Sequence, residues 1–585
     1  MASRLLLLVL AVFVLGTGLP RVIDRPVSAQ SQPPAAGAPL PVTGRSMVTT
    51  KYGIVAASHP LAARAGVQIL ERGGHAVDAA IATNAVLNLM EPAMNGIGGD
   101  LFAIVYDAKA DRLYGMNASG WSPSGLTPAL LASKGQTRVG RDIYSVTVPG
   151  AVAGWEMMRA RFGRQPMADL LAPAIHYAEE GFPITEVVAG QFASAAKLLS
   201  QHPNSKSTYL LDGDRVPTEG DLFRNPGLAA SLRRIAEQGR DGFYRGQTAE
   251  AIVALSRELG GTMTMADLAE YEAEWVEPIE STYHGWTVSE LPPNGSGIAA
   301  LMMLNIMERY PMKAYGFHSP QAMHVMIEAK KLAYADMLRY VGEPQGARIP
   351  VATLLSGAHA DARAKLIDPA KAACQVEPAH LDAVTNNPEG NDTIYLSVID
   401  KDGNIVSLIQ SVYSGFGTGL VPEGTGFALH NRGQLFTLEP NHVNTLAPRK
   451  RPVHTIIPAF LRKDDIRIGF GIMGGWNQSQ AHAQFVSNIV DYGMTIQQAL
   501  EAGRFTKGSF NGCDVAIEAL VPETTREALA ALGHEIRLVA PRSGTFGWGQ
   551  AVMGRADGTH FGASEPRHDG AAIPEAPPVF GPGRR

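Results

Sequence analysis

The stretch Thr393-Ile394-Tyr395-Leu396-Ser397-Val398-Ile399, followed by Asp400-Lys401-Asp402-Gly403-Asn404 and then Ile405-Val406-Ser407-Leu408-Ile409-Gln410-Ser411-Val412-Tyr413, constrains this fold more than any other feature. β-Branched and aromatic side chains fill both runs, which predicts two buried-looking strands. Asp402-Gly403 between them supplies a turn in which glycine takes the positive φ that other residues resist. Thr393 heads the first strand directly after Asn391-Asp392, and the preceding segment from Val376 to Asp392 is polar, with Thr385-Asn386-Asn387-Pro388-Glu389-Gly390. Such a segment suits a cleavage linker. A hydroxyl is a poor nucleophile without a base in reach, and a threonine whose own backbone amine is freed by cleavage carries that base with it. Taken alone, the same residues also suit an ordinary core hairpin with an incidental threonine.

Mixed secondary structure surrounds the hairpin. Helical periodicity predicts helices at Leu61 to Arg72, Asp78 to Met90, Gly154 to Phe162, Met167 to Glu180 and His324 to Tyr340, and a strand-rich region from Thr393 onward. The chain has 585 residues and a formal net charge of −5, enough length for one large core or two. A mild excess of acid and the lack of a long Lys/Arg cluster argue against nucleic acid or an anionic membrane as the main partner. The histidines are scattered with no His-Glu-x-x-His spacing, so neither a metal nor a cofactor is expected.

At the N-terminus, Arg4 precedes an apolar run from Leu5 to Leu15, and Val27-Ser28-Ala29 offers small residues to a signal peptidase. Residues 1–29 therefore read as a secretory signal and the protein as secreted or periplasmic; the run is short for a full membrane span. Residues 30–45, with Pro33-Pro34-Ala35-Ala36-Gly37-Ala38-Pro39, form a flexible lead-in. Only Cys374 and Cys513 are present, one on each side of Thr393. A bridge between them would tie two cleaved halves together, but two unpaired thiols is the preferred reading.

Several separate blocks occur in order: Gly73-Gly74-His75-Ala76-Val77-Asp78-Ala79-Ala80, Glu91-Pro92 with Gly96-Ile97-Gly98-Gly99-Asp100, Val148-Pro149-Gly150, Leu291-Pro292-Pro293-Asn294-Gly295-Ser296-Gly297 and Glu328-Ala329-Lys330-Lys331-Leu332-Ala333-Tyr334-Ala335-Asp336. After the hairpin come Phe416-Gly417-Thr418-Gly419, Lys450-Arg451-Pro452, Met473-Gly474-Gly475 and Gly562-Ala563-Ser564-Glu565-Pro566-Arg567. Together with Thr393 they resemble the γ-glutamyltranspeptidase (glutathione hydrolase) family of N-terminal-nucleophile hydrolases, from about Gly53 to about Arg567. The resemblance implies an α+β fold, a four-layer αββα sandwich of two antiparallel sheets covered by helices. It further implies self-cleavage between Asp392 and Thr393 into a large subunit, residues 46–392, and a small one, residues 393–585. In that scheme Thr393 is the nucleophile, Ser411 a second hydroxyl beside it, and Gly474-Gly475 the oxyanion position.

The pocket departs from the family pattern. Where γ-glutamyl enzymes carry an arginine for the substrate α-carboxylate, this chain has Ser119 in Ser119-Gly120-Trp121-Ser122-Pro123. Where they carry an acid for the α-amino group, His430-Asn431-Arg432-Gly433-Gln434-Leu435 puts Leu435, with Arg432 at a neighbouring site. Tyr413 replaces an asparagine, and His454-Thr455 a Ser-Ser pair. Trp121 and Trp476 adjoin matched blocks but suit a core position as well as a pocket wall. The family resemblance favours a hydrolase or transferase acting on glutathione-like amides through an acyl-enzyme on Thr393. Ser119, Tyr413, Arg432 and Leu435 support an alternative. It is an amidohydrolase or acylase for a carboxylate-bearing substrate without an α-amino group, similar to the oxamate and glutaryl-amide enzymes of the same family. A secreted binding protein that keeps the fold without catalysis is a third reading.

Overall fold

The computed structural model describes residues 39–41, 43–344, 349–381 and 392–579. The expected signal, residues 30–38 of the lead-in and residues 382–391 of the linker lie outside the described residues. Among the described residues no helix is long and apolar enough to cross a membrane.

The hairpin forms as its residues predict. Strand Asp392–Ile399 pairs antiparallel with Ile405–Tyr413, with Leu396 opposite Leu408. Gly403 takes φ +83° in the turn, where the Asp400 carboxylate accepts from the amides of Asp402 at 3.0 Å and Asn404 at 2.9 Å. The register shifts at the head of the first strand: Asp392 lies opposite Tyr413 but Ile394 opposite Gln410. Thr393 sits in this irregularity, and such bulges re-aim a side chain out of the regular ladder.

The hairpin occupies the middle of a seven-stranded antiparallel sheet, in the order Ala571–Pro574, Ile54–Ala57, Asp392–Ile399, Ile405–Tyr413, Asp100–Asp107, Arg112–Ala118, Glu274–Val276. A second such sheet runs Val48–Thr50, His560–Ser564, Gly549–Gly554, Ile466–Ile472, Ala459–Lys463, Trp286–Glu290, Ile279–Tyr283. The two sheets face one another. Ser397 donates to the carbonyl of Gly469 at 3.0 Å, and a Cβ at Gly471 would run into the Tyr395 ring. Helices Pro60–Glu71, Ala76–Met90 and Ala151–Phe162 cover the first sheet, and Gly297–Met307 and Asn477–Val490 cover the second. This is the four-layer sandwich. Both sheets contain strands from before and after Thr393, so the segments on either side of that residue pair within each sheet and pack into the same buried clusters.

Helix Met167–Glu180 has the expected bounds, and the others begin earlier than expected. Ala76–Met90 starts ahead of Asp78 because His75 caps it: its Nδ1 accepts from Val77 N at 3.1 Å while Asp78 accepts from His75 N at 2.8 Å. Histidine is not a common cap, which hides the start from pattern reading. The expected His324 to Tyr340 helix spans Pro320–Tyr340, capped by Ser319 with proline in its first turn. The region after Thr393 is less purely strand than expected, since it holds helices Asn477–Val490, Ile496–Glu501 and Glu523–Ala531.

The preferred reading of the cysteines is overturned. Cys374 and Cys513 form a disulfide across a sequence separation of 139, with Cα atoms 4.6 Å apart. The two segments lie side by side, Gly512 N donating to Cys374 O at 2.7 Å and Val376 N to Asn511 Oδ1 at 2.9 Å. No local pattern signals a contact of this range. If the chain divides between Asp392 and Thr393, the two products stay covalently joined, and a non-reducing gel of the mature protein is expected to show one band that reduction resolves into two. Two bands without reductant would mean that the bridge does not form.

Candidate active site

Thr393 is fully buried, and its Oγ1 donates to Ser411 Oγ at 3.3 Å. Ser411 Oγ also accepts from the amide of Tyr413 at 2.8 Å. Tyr413 has φ +80°, a left-handed conformation unusual for a bulky residue. Strain of this kind persists where surrounding structure over-determines the backbone; here it ends the strand beside Ser411. On the far side of Thr393, Gln478 Nε2 donates to Thr393 Oγ1 over 3.5 Å.

Gln478 lies in the first turn of helix Asn477–Val490, just after Met473-Gly474-Gly475. Gly474 and Gly475 take φ +129° and +56°, which glycine tolerates without a Cβ penalty. Their carbonyls accept from Asn477 and Gln478, whereas among the described residues no acceptor takes their N–H groups. Two free amides at a helix N-terminus are suited to a negative oxygen. Met473 N is tied to Trp548 O at 3.0 Å, and Asn477 Nδ2 to Phe546 O at 2.8 Å, so a neighbouring loop holds the glycine pair. Trp476 follows the pair as the helix N-cap residue, with its carbonyl accepting from Tyr334.

A second set of predicted residues gathers on Asp100. Its Oδ2 lies 2.9 Å from His454 Nε2, 3.3 Å from His430 Nδ1 and 3.7 Å from Arg432 Nε, and its Oδ1 accepts from Gly120 N at 3.0 Å. All four side chains are fully buried. Burial by itself would raise the Asp100 carboxyl, but His430 and His454 hold it well below the usual carboxylate range. Burial, joined by the Arg432 charge, pulls His454 down to about 3. His454 is then neutral near pH 7, with Nε2–H donating to Asp100 and Nδ1 accepting from Ile456 N at 3.3 Å.

The Arg432 guanidinium donates from Nη1 to Thr455 Oγ1 at 2.8 Å and lies over the Tyr413 ring, 4.6 Å from its centre. Burial lowers it to about 10, with Asp100 opposing, so it remains a cation. Its Nη2 is buried with no described hydrogen-bond partner. A buried, incompletely satisfied cation is costly unless something completes it.

The other predicted residues take supporting places. Ser119 stands behind Asp100: its hydroxyl accepts from Asn294 Nδ2 at 3.0 Å and its carbonyl from Tyr271 and Arg451. Leu435, on the same turn as Arg432, lines a cavity of about 540 Å³ with Leu338, Phe436 and Val453, while Arg432 turns toward Asp100 and Tyr413. Trp121 packs on Tyr271. Sequence reading missed the roles of two residues. Asp100 appears in the sequence only as part of the Gly-Gly-Asp block, and Gln478 lies in none of the matched blocks. Elsewhere, His324, Glu328 and His534 come together in the core, but Lys331 pairs with Glu328 at 2.5 Å and His324 bonds His534 at 2.9 Å. An ammonium thus stands where a metal would need its charge.

Two facing antiparallel sheets between helical layers, with a buried threonine at the head of a central strand, define an N-terminal-nucleophile hydrolase fold. A family model described as gamma-glutamyltranspeptidase matches residues 62–575, and the chain belongs to that family. It is 35% identical over 535 residues to a glutathione hydrolase-like proenzyme of Bacillus subtilis, covering 90% of this chain and 99% of that one. It is 33% identical over 537 residues to the oxamate amidohydrolase proenzyme of Klebsiella pneumoniae, covering 89% and 98%. The crystal structure of cephalosporin acylase from Bacillus halodurans superposes with a TM-score of 0.84 at 41% identity, covering 93% of this chain and 98% of that one. The protein is therefore an enzyme of the hydrolase and acyltransferase type.

Proposed function

We propose that the chain is a secreted or periplasmic, self-processing amidase that works through an acyl-enzyme on Thr393 and takes substrates bearing a carboxylate near the scissile amide. In the precursor, Thr393 Oγ1 attacks the carbonyl of Asp392, the peptide shifts to an ester, and hydrolysis frees the Thr393 amine. That amine, with a reference pKa of about 7.7–8.0, takes the hydroxyl proton when Oγ1 next attacks a substrate amide. Gly474 and Gly475 receive the oxyanion; losing one such donor typically costs about 3–4 kcal/mol of barrier. Water, or an acceptor amine, then opens the acyl-enzyme.

The observation that carries the substrate class is the buried Arg432 with its open Nη2. An arginine grips a carboxylate through paired N–H bonds. A γ-glutamyl substrate would also need an acid for its α-ammonium group. Position 435 is leucine, and Asp100 is already committed to His454, His430 and Arg432. The likeness to a glutathione hydrolase-like proenzyme supports the second reading, an enzyme for glutathione-like amides. A side-by-side assay separates the two. Glutaryl-p-nitroanilide is expected to be hydrolysed faster than γ-glutamyl-p-nitroanilide, and the reverse order would replace the first reading with the second.

A further inference from the structure

We infer that Gln478 is a catalytic hydrogen-bond donor to the nucleophile oxygen, a role that rests on the reading of Thr393 as nucleophile. The side chain is fully buried, and its amide can face only one way. Gln478 Oε1 accepts from the backbone N–H of Ile457 at 3.0 Å; turning the amide over would set an NH₂ against that N–H and leave a buried donor unpaired. Nε2 is thereby obliged to face Thr393 Oγ1, 3.5 Å away. Such contacts are commonly long before substrate binds and tighten in the reacting complex. Two further bonds complete the arrangement: the Thr393 hydroxyl proton points to Ser411 Oγ at 3.3 Å, and Ser411 Oγ takes the Tyr413 amide at 2.8 Å. One oxygen thus has its proton directed by Ser411 and a lone pair held by Gln478.

The chemistry gives that donor a specific moment to act. As Oγ1 attacks an amide, the Oγ–H bond breaks, its proton passes to the Thr393 amine, the Oγ–C bond forms, and the carbonyl electron pair moves to the oxyanion. Collapse breaks the C–N bond, and the leaving amine departs with the proton. In the second half water gives a proton to the Thr393 amine as its oxygen adds to the ester carbon, and on collapse the Oγ–C bond breaks while the amine returns that proton to Oγ1. Negative charge gathers on Oγ1 as its proton leaves and again as it departs from carbon, and the glycine pair faces the other oxygen. A fixed donor on Oγ1 stabilises both moments without reorganising. The same donor serves the self-cleavage, whose ester is opened in the same way.

The test compares wild type, Gln478→Leu and Gln478→Glu, with Thr393→Ala in parallel. Intact mass follows self-cleavage, and steady-state kinetics are measured on whichever of the two p-nitroanilides the wild type cleaves faster. Both Gln478 variants are expected to process more slowly and to lose about ten- to a hundredfold in kcat with KM changed less than about threefold. A structural role would not produce the pH signature of Gln478→Glu. Its activity relative to wild type should rise as pH falls, because a protonated carboxyl donates to Oγ1 while a carboxylate repels the charge forming there. Wild-type kcat and processing in variants that melt like wild type, or a relative activity that does not change with pH, would overturn the proposal. If Thr393→Ala were itself cut or active, the nucleophile reading would fail instead. An inactive, uncut Thr393→Ala beside fully active Gln478 variants would refute the role of Gln478 alone.

Discussion

Purified Thr393→Ala is expected to appear by intact mass as one uncut chain, where wild type gives two fragments that meet between Asp392 and Thr393. Its amidase activity is expected to fall at least about a thousandfold, since removal of a covalent nucleophile leaves only binding and oxyanion stabilisation. Both losses have one physical cause: the hydroxyl that opens the peptide is the hydroxyl that accepts the acyl group. The variant should fold. Thr393 contributes one hydroxyl at an irregular strand head, contacting Ser411 and Gln478, and the strand pairing from Ile394 to Ile399 does not involve its side chain. An unchanged melting temperature beside lost processing would separate chemistry from folding. An uncut wild type would remove the nucleophile assignment and the amidase reading with it.

Arg432→Gln is expected to lower kcat/KM on glutaryl-p-nitroanilide by about thirtyfold or more, because truncating one partner of a buried charge pair costs about 2–5 kcal/mol. On acetyl-p-nitroanilide, which has no distal carboxylate, the change should be small. The contrast tests whether the open Nη2 waits for a substrate. Equal losses on both substrates would make Arg432 a structural partner of Asp100 and Thr455. Stability should also drop, by less than the roughly 3–5 kcal/mol typical of a stranded buried charge. The reason is that the Asp100 carboxylate still accepts from His454 Nε2 at 2.9 Å and from Gly120 N at 3.0 Å.

The hairpin was readable because its information is local. Two β-branched runs around Asp402-Gly403 specify strand, turn and strand, and the structure returns them nearly residue for residue. The helix from Ala76 shows the opposite case. Its cap is a histidine, which competes for that role only when a partner such as Asp78 closes the reciprocal bond. In the pocket, residue types could be named but not their partners. Ser119, at the position of the family's arginine, accepts from Asn294 behind Asp100, and Leu435 faces a separate cavity although it shares a turn with Arg432.

By itself, the sequence determined the hairpin, the threonine at its head, the membership of an N-terminal-nucleophile family through ordered blocks, and the exchange of an acid for an apolar residue beside an arginine. Each follows from residue identity or short-range spacing. Tertiary structure alone decided which groups meet: Asp100 with His454 across 354 positions, Gln478 with Thr393 across 85, and Cys374 with Cys513 across 139. Hydrogen bonds and charge pairs act over a few ångströms of space, and only the stacking of the two sheets brings such distant residues within that range.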